Sequence, residues 1–217
     1  MTSPILLRLV ALLVIGVFLT SCKTVDSDQR SSLSSYEGFT PASSGGALIH
    51  KGDRSSLKDY TKVYVSDVEI LVDVEEGEKT SDAELRQLGV SFESILKEEF
   101  GRKYAISRSR GPGVLEVRAA LVDVKPNSPA WFLAGYAPGV FVATSALWAA
   151  TGDNPGSGVT TVQVEVLDSA SKERLYAIID EERGGKHKVR GGLSRWGQAE
   201  VSFRKWSQEI VEAVSQP

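Results

Sequence analysis

The chain has 217 residues and a mass of 23.4 kDa, room for one or two domains at roughly 150 residues each. Its 41% apolar and 24% charged content excludes a wholly disordered chain and a polytopic membrane protein. A net charge of −3 is not the basic footprint of a nucleic-acid binder, and one cysteine with two histidines excludes an intramolecular disulfide and a Cys2His2 zinc site.

Residues 1–22 read as a separate unit. Arg8 is their only charge, and an apolar run over residues 9–19 follows it. Eleven residues suit the hydrophobic region of a signal peptide, about 7–15, and fall short of the roughly 20 that span a bilayer. The run closes on Leu19-Thr20-Ser21-Cys22, which resembles a bacterial lipobox. That resemblance implies that Cys22, the only thiol of the chain, is acylated and becomes the first mature residue. Its absence elsewhere suits an oxidising compartment. More than one acyl chain, at about 0.8 kcal/mol per buried methylene, anchors stably where a single chain does not. Lys23 stands where an aspartate commonly retains Gram-negative lipoproteins in the inner membrane, so the sorting rule implies the outer membrane, with the protein on its periplasmic face. Without the leader the charge is −4, so the lipid and not the surface charge must hold the protein to the membrane.

Residues 23–58 are expected to form a flexible tether. Nine serines lie between Ser27 and Ser56, with Gly38, Gly45, Gly46 and Gly52 among them. The roughly 34 residues from Lys23 to Ser56, if flexible, reach roughly 30–35 Å r.m.s., enough to float a domain clear of the headgroups. Tyr36, Phe39, Leu48 and Ile49 are the residues able to dock part of this stretch. His50 lies in it and is expected to be exposed to solvent rather than to bind a ligand.

A single domain is expected over residues 59–217. Valine-dense residues 62–74 read as a strand, with a phase shift near Ser66-Asp67 that suggests a bulge. After a polar loop at Glu75, Glu76 and Glu78, Ser81 and Glu84 form a capping-box pattern. Leu85, Leu88, Phe92, Ile95 and Leu96 then recur at helical spacing, with Gly101 ending the helix. Residues 104–107 read as a short strand, 108–113 as a turn, and 114–124 as a longer strand. Alternation returns over residues 160–167, with Val162, Val164 and Val166 inward. A hairpin loop over 168–172 and a partner strand over 174–180 follow. Last, Ser194 is placed to cap a helix whose stripe is Trp196, Ala199, Phe203, Trp206, Ile210 and Ala213. The order β-α-β-β-(apolar segment)-β-β-α argues an α+β fold of two layers: a mainly antiparallel sheet with helices on one face.

These residues also resemble a known family. Gly111-Pro112-x-Val114-Leu115-x-Val117-Arg118-x-Ala120, then Val164-Glu165-Val166-Leu167-Asp168-Ser169, Asp180, Trp196-Gly197 and Trp206 are similar to the bacterial lipoproteins of domain of unknown function 3313. The resemblance runs from about Tyr36 to Val214 and implies an outer-membrane lipoprotein with no assigned activity. The chain departs from it at Asp67, where a proline is usual, and at Lys172-Glu173, where the turn usually has a glycine.

No constellation for catalysis stands out. There is no G-x-S-x-G elbow, no H-E-x-x-H and no Walker lysine in its glycine frame, so neither a catalytic residue, a metal nor a cofactor is expected. The basic loop with Lys186, His187, Lys188 and Arg190 is either a weak anion site or a solvated loop. Asp168 and Asp180 flank the hairpin and suit turn-backbone hydrogen bonds. Residues 126–152 are wholly uncharged and include Trp131, Phe132, Tyr136, Phe141 and Trp148, with Gly135, Pro138 and Gly139 breaking the run. Three readings stay open for it: cover for the sheet, a surface for a partner or lipid, or membrane insertion. The function expected is a lipid-anchored outer-membrane lipoprotein, non-enzymatic, that binds or scaffolds an envelope protein or cell-wall partner and no nucleic acid. The alternatives are a cell-wall or carbohydrate hydrolase and an auxiliary subunit of a transport or secretion assembly.

Overall fold

A computed structural model of the chain describes residues 32–43, 46–53, 55–72, 80–126, 128, 158–183 and 195–215. Along these run β1 (Thr40–Pro41), β2 (Leu48–Lys51), a short 3-10 turn (Leu57–Asp59), β3 (Lys62–Val65) and β4 (Glu69–Ile70). Then come α1 (Asp82–Phe100), β5 (Ala105–Ile106), β6 (Val114–Lys125), β7 (Val159–Asp168), β8 (Arg174–Arg183) and α2 (Gly197–Ser215). The described strands make one eight-stranded sheet in the order β1-β2-β8-β7-β6-β3-β5, with β4 also on β6. From β1 to β6 the neighbours are antiparallel, while β3, β4 and β5 join in parallel. The α+β class expected from the sequence is therefore the class observed. Its sheet is mixed because α1 carries the chain over from β3 and β4 to β6, and such a crossover returns the chain in parallel.

Both helices cover one face. Alternation puts Val63 and Val65 of β3, Leu115, Val117, Ala119 and Leu121 of β6, and Val162, Val164 and Val166 of β7 against them. Phe92 of α1 stacks on Phe203 of α2 with ring centroids 4.4 Å apart. Trp206, Phe92, Phe100 and Phe203 are fully buried, and each such side chain contributes about 1.5–3 kcal/mol by leaving water. The expected stripe of α2 is the core stripe: Ala199, Phe203, Trp206 and Ile210 are buried, with Trp196 and Ala213 packed beside them. At the start of α1 the Ser81–Glu84 capping box is formed, the Ser81 N–H donating to Glu84 Oε2 at 2.9 Å.

Two expectations change. The single strand over residues 62–74 is two short ones, β3 and β4. Between them the chain advances from Val65 to Glu69 while β6 advances only from Val117 to Ala120. The extra residue is the phase shift read from the sequence; it returns Val68, Ile70 and Val72 to the core side. The tether over residues 23–58 also changes where it is described. Leu48 to Lys51 pair with β8, Ile49 packs against the core, and His50 is a half-buried strand residue. Serine and glycine content argued for disorder, but a sheet edge needs only backbone donors and acceptors plus one apolar side chain per two residues.

Cys22, Lys23 and the leader lie outside the described residues. So do Ser194, the acidic loop at Glu75, Glu76 and Glu78, the aromatic residues Trp131, Phe132, Tyr136, Phe141 and Trp148, and the basic residues Lys186, His187, Lys188 and Arg190.

Candidate functional site: the outer face of the sheet

The face away from the helices is where sequence reading missed most. Alternation assigns Glu116 and Arg118 of β6 and Gln163 and Glu165 of β7 to the outer side, which reads as a solvated face. Yet Glu165 is 0% exposed, and Glu116 and Gln163 are each 2% exposed. A buried charge needs partners, and both acids have them.

Glu165 lies directly across from Arg118 in the strand register. The Arg118 guanidinium donates to its Oε1 at 3.0 Å, and Arg174 stands 3.5 Å from its Oε2. The N-terminal segment then crosses this face. Ser34 donates to Glu165 Oε2 through its backbone N–H at 3.1 Å and its hydroxyl at 2.9 Å. Ser32 donates to Gln163 Oε1 from its N–H at 3.2 Å, and Gln163 Nε2 donates to the Tyr36 oxygen at 3.0 Å. Arg174 clamps the segment from the side, donating to the Ser34 hydroxyl at 3.0 Å and the Ser35 carbonyl at 2.8 Å. Serines that read as linker are thus the partners of buried polar side chains.

Glu116 anchors a second group. Arg110 Nε donates to its Oε1 at 2.7 Å, and Lys172 Nζ binds its Oε2. The Arg110 guanidinium also lies 4.5 Å over the Tyr64 ring and reaches the Ser66 hydroxyl at 3.1 Å. Burial pushes the Glu116 carboxyl up, but Lys172 and Arg110 outweigh it and hold it below the usual range. Lys172 has φ 64, a left-handed backbone that costs a side-chain-bearing residue about 1–2 kcal/mol. This is the turn where the family resemblance favours glycine. Beside these groups opens a hollow of about 470 Å³ walled by Ser66, Glu69, Arg110, Arg118 and Lys172 over Glu116.

Other polar residues have local roles. Asp168 accepts from the backbone N–H of Ala170 and Ser171, as the sequence suggested, and also from the Tyr60 hydroxyl at 2.7 Å. The Ser171 hydrogen bond chiefly holds Asp168 low, while burial and Asp168 push the Tyr60 phenol up to about 12. Asp180 accepts from the Glu181 backbone N–H at 2.9 Å and, from the core helix, from the Trp206 indole at 2.7 Å. His50 stands beside Phe39, its pKa lowered by burial and then by Arg174. Among the described residues no group of three His, Cys, Asp or Glu side chains could hold a metal ion, and no helix is long and apolar enough to cross a membrane.

A signal for this site was present in the sequence. Arg118 and Glu165 both fall inside the motifs that carry the family resemblance, on strands expected to share a sheet. What was lacking was the register that sets one against the other.

The family model described as a protein of unknown function, DUF3313, matches residues 28–210. No curated protein matches the chain. Among solved structures, the PelC dodecamer from Paraburkholderia phytofirmans is 13% identical, covering 80% of this chain and 99% of that one, with a TM-score of 0.46. The hypothetical protein CT253 from Chlamydia trachomatis is 13% identical over 71% of this chain and 98% of that one, TM-score 0.41. A DUF4136 family protein from Bacteroides thetaiotaomicron is 9% identical over 82% and 98%, TM-score 0.36.

Proposed function

The chain belongs to the protein family of unknown function DUF3313, and we propose that it is a lipid-anchored, non-enzymatic envelope protein. In this reading an acylated Cys22 holds it on the periplasmic face of the outer membrane, where its domain binds or scaffolds an envelope partner. The observation that carries the proposal is the placement of the only thiol directly after an apolar run of signal-peptide length and the small residues Thr20 and Ser21.

The outer face supports the non-enzymatic part. A catalytic carboxyl pair works through pKa values pushed apart, one group staying protonated at working pH. Glu116 and Glu165 are instead each matched by two cationic side chains, the arrangement of structural ion pairs.

Given such an anchor, the seating of Ser32 bounds how far the domain can stand from it. Ser32 is held on Gln163, so nine residues lie between it and Cys22, and the ten backbone steps joining the two span at most about 35 Å even fully extended. A 34-residue flexible tether would have had that reach as its average. In this reading the domain stands no farther than that from its anchor.

The test is metabolic labelling with a palmitate analogue. The native chain should take up label and fractionate with the outer membrane, and Cys22→Ser should carry none. Label retained by that variant overturns the anchor. Lys23→Asp should move the protein towards the inner-membrane fraction, and unchanged fractionation removes the outer-membrane assignment.

A further inference from the structure

We propose that the hollow walled by Arg110, Arg118, Lys172 and Ser66 is a binding site for a phosphate-bearing anion. Three cationic side chains converge on it and remain open to solvent: Arg110 is 48%, Arg118 33% and Lys172 53% exposed. Against them stand two carboxylates, Glu116 beneath and Glu69 on the rim. The hollow's own walls hold three cations to two carboxylates, and the buried Glu165 lies under Arg118 as a third.

The carboxylates organise the cations more than they cancel them. Glu116 is buried and fixed, and it takes one donor each from Arg110 and Lys172. An ammonium has three donors and a guanidinium five in a planar fork, so each side chain retains donors after that contact. Arg110 is further set by the Tyr64 ring and the Ser66 hydroxyl, and Arg118 by Glu165 at 3.0 Å. Glu69 lies 3.8 Å from Arg118, beyond hydrogen-bond distance, so it is a partner that an incoming anion can displace. Cations held in place before binding lose little freedom when a tetrahedral, multiply charged oxyanion arrives.

Lys172 comes to the hollow from the β7–β8 turn. At φ 64 its backbone favours glycine, yet the residue is a lysine whose ammonium reaches this hollow. The Ser66 hydroxyl adds a neutral donor, and the hollow of about 470 Å³ has room for a phosphate with its substituent.

The phosphate could be free or the headgroup of an anionic lipid, and the site chemistry is shared. It does not depend on acylation: a chain that fails the labelling test can still bind phosphate, and an acylated chain can still fail to. The test is calorimetric titration of the full chain, kept in nonionic detergent, with inorganic phosphate and separately with short-chain phosphatidylglycerol. One saturable site is expected for at least one probe, and Arg110→Gln and Lys172→Gly should each weaken it about tenfold, the loss of one charge-assisted hydrogen bond. Lys172→Arg should restore binding, and Arg108→Gln, an exposed arginine outside the hollow, should leave it unchanged. Phosphatidylglycerol binding more tightly than phosphate makes the lipid headgroup the ligand; equal binding makes free phosphate sufficient. No saturable binding of either probe overturns the proposal. So does unchanged binding in both hollow variants, or an equal loss in Arg108→Gln. Thermal unfolding of each variant separates lost binding from lost fold.

Discussion

Glu116 shows how one side chain ties local chemistry to stability. Lys172 and Arg110 hold its carboxyl below the usual range despite burial. A carboxyl lower in the folded than in the unfolded chain stabilises above its unfolded value, about 4.3, and that stabilisation is lost as pH falls through the native value. Denaturant unfolding of the native chain should therefore weaken more steeply below about pH 4.3 than that of Glu116→Gln, and parallel curves would contradict the pairing. Glu209 has the opposite sign. Burial and then the nearby Asp180, Glu182 and Glu212 raise its pKa, with Lys205 opposing them. Ionised Glu209 thus costs stability at neutral pH, and Glu209→Gln should raise the melting temperature at pH 7. The gain should vanish below about pH 4, where both side chains are neutral.

At the scale of elements, α2 is held by its aromatic stripe. Trp206 is fully buried and its indole donates to Asp180. Trp206→Ala should cost about 3–5 kcal/mol in equilibrium unfolding, from lost packing and the cavity left behind. A loss below about 1 kcal/mol would remove Trp206 from the core. The segment over residues 32–36 is an element without regular secondary structure. Its work is done by backbone N–H groups and hydroxyls on Gln163 and Glu165. Deleting it leaves buried polar groups without these partners, each costing about 1–3 kcal/mol, so the truncated domain should unfold several kcal/mol more easily. Unfolding at native denaturant concentration after this deletion would mean the face is satisfied by other means.

At the scale of the whole molecule, the sheet keeps two unlike faces. The helix side is an apolar core, and the outer side is a row of buried carboxylates paired with largely exposed cations and crossed by the N-terminal segment. Replacing Glu165 leaves the nearly buried Arg174 and the Ser34 N–H and hydroxyl without the carboxylate they face, so Glu165→Ala should be among the more damaging changes outside the core, at about 1–3 kcal/mol for each buried group left unpaired. The first residues of the described chain, Ser32 and Ser34, are those seated on Gln163 and Glu165.

What the sequence determined by itself was local. The capping box at Ser81, the stripe of α2, the alternation of β6 and β7, and the phase shift before Val68 each depend on neighbours within a few residues, and each is found in the structure. The motif residues identified the family for the same reason, since order and spacing survive in one dimension. Only the tertiary structure decided that serine-rich residues 32–51 belong to the domain, and that Glu116, Gln163 and Glu165 are buried. Those outcomes rest on contacts between distant stretches of chain, Glu116 with Lys172, Ser34 with Glu165 and Leu48 with Ile179. Alternation says which residues share a face. It cannot say whether water or another stretch of chain will cover that face, because this depends on where the rest of the backbone goes.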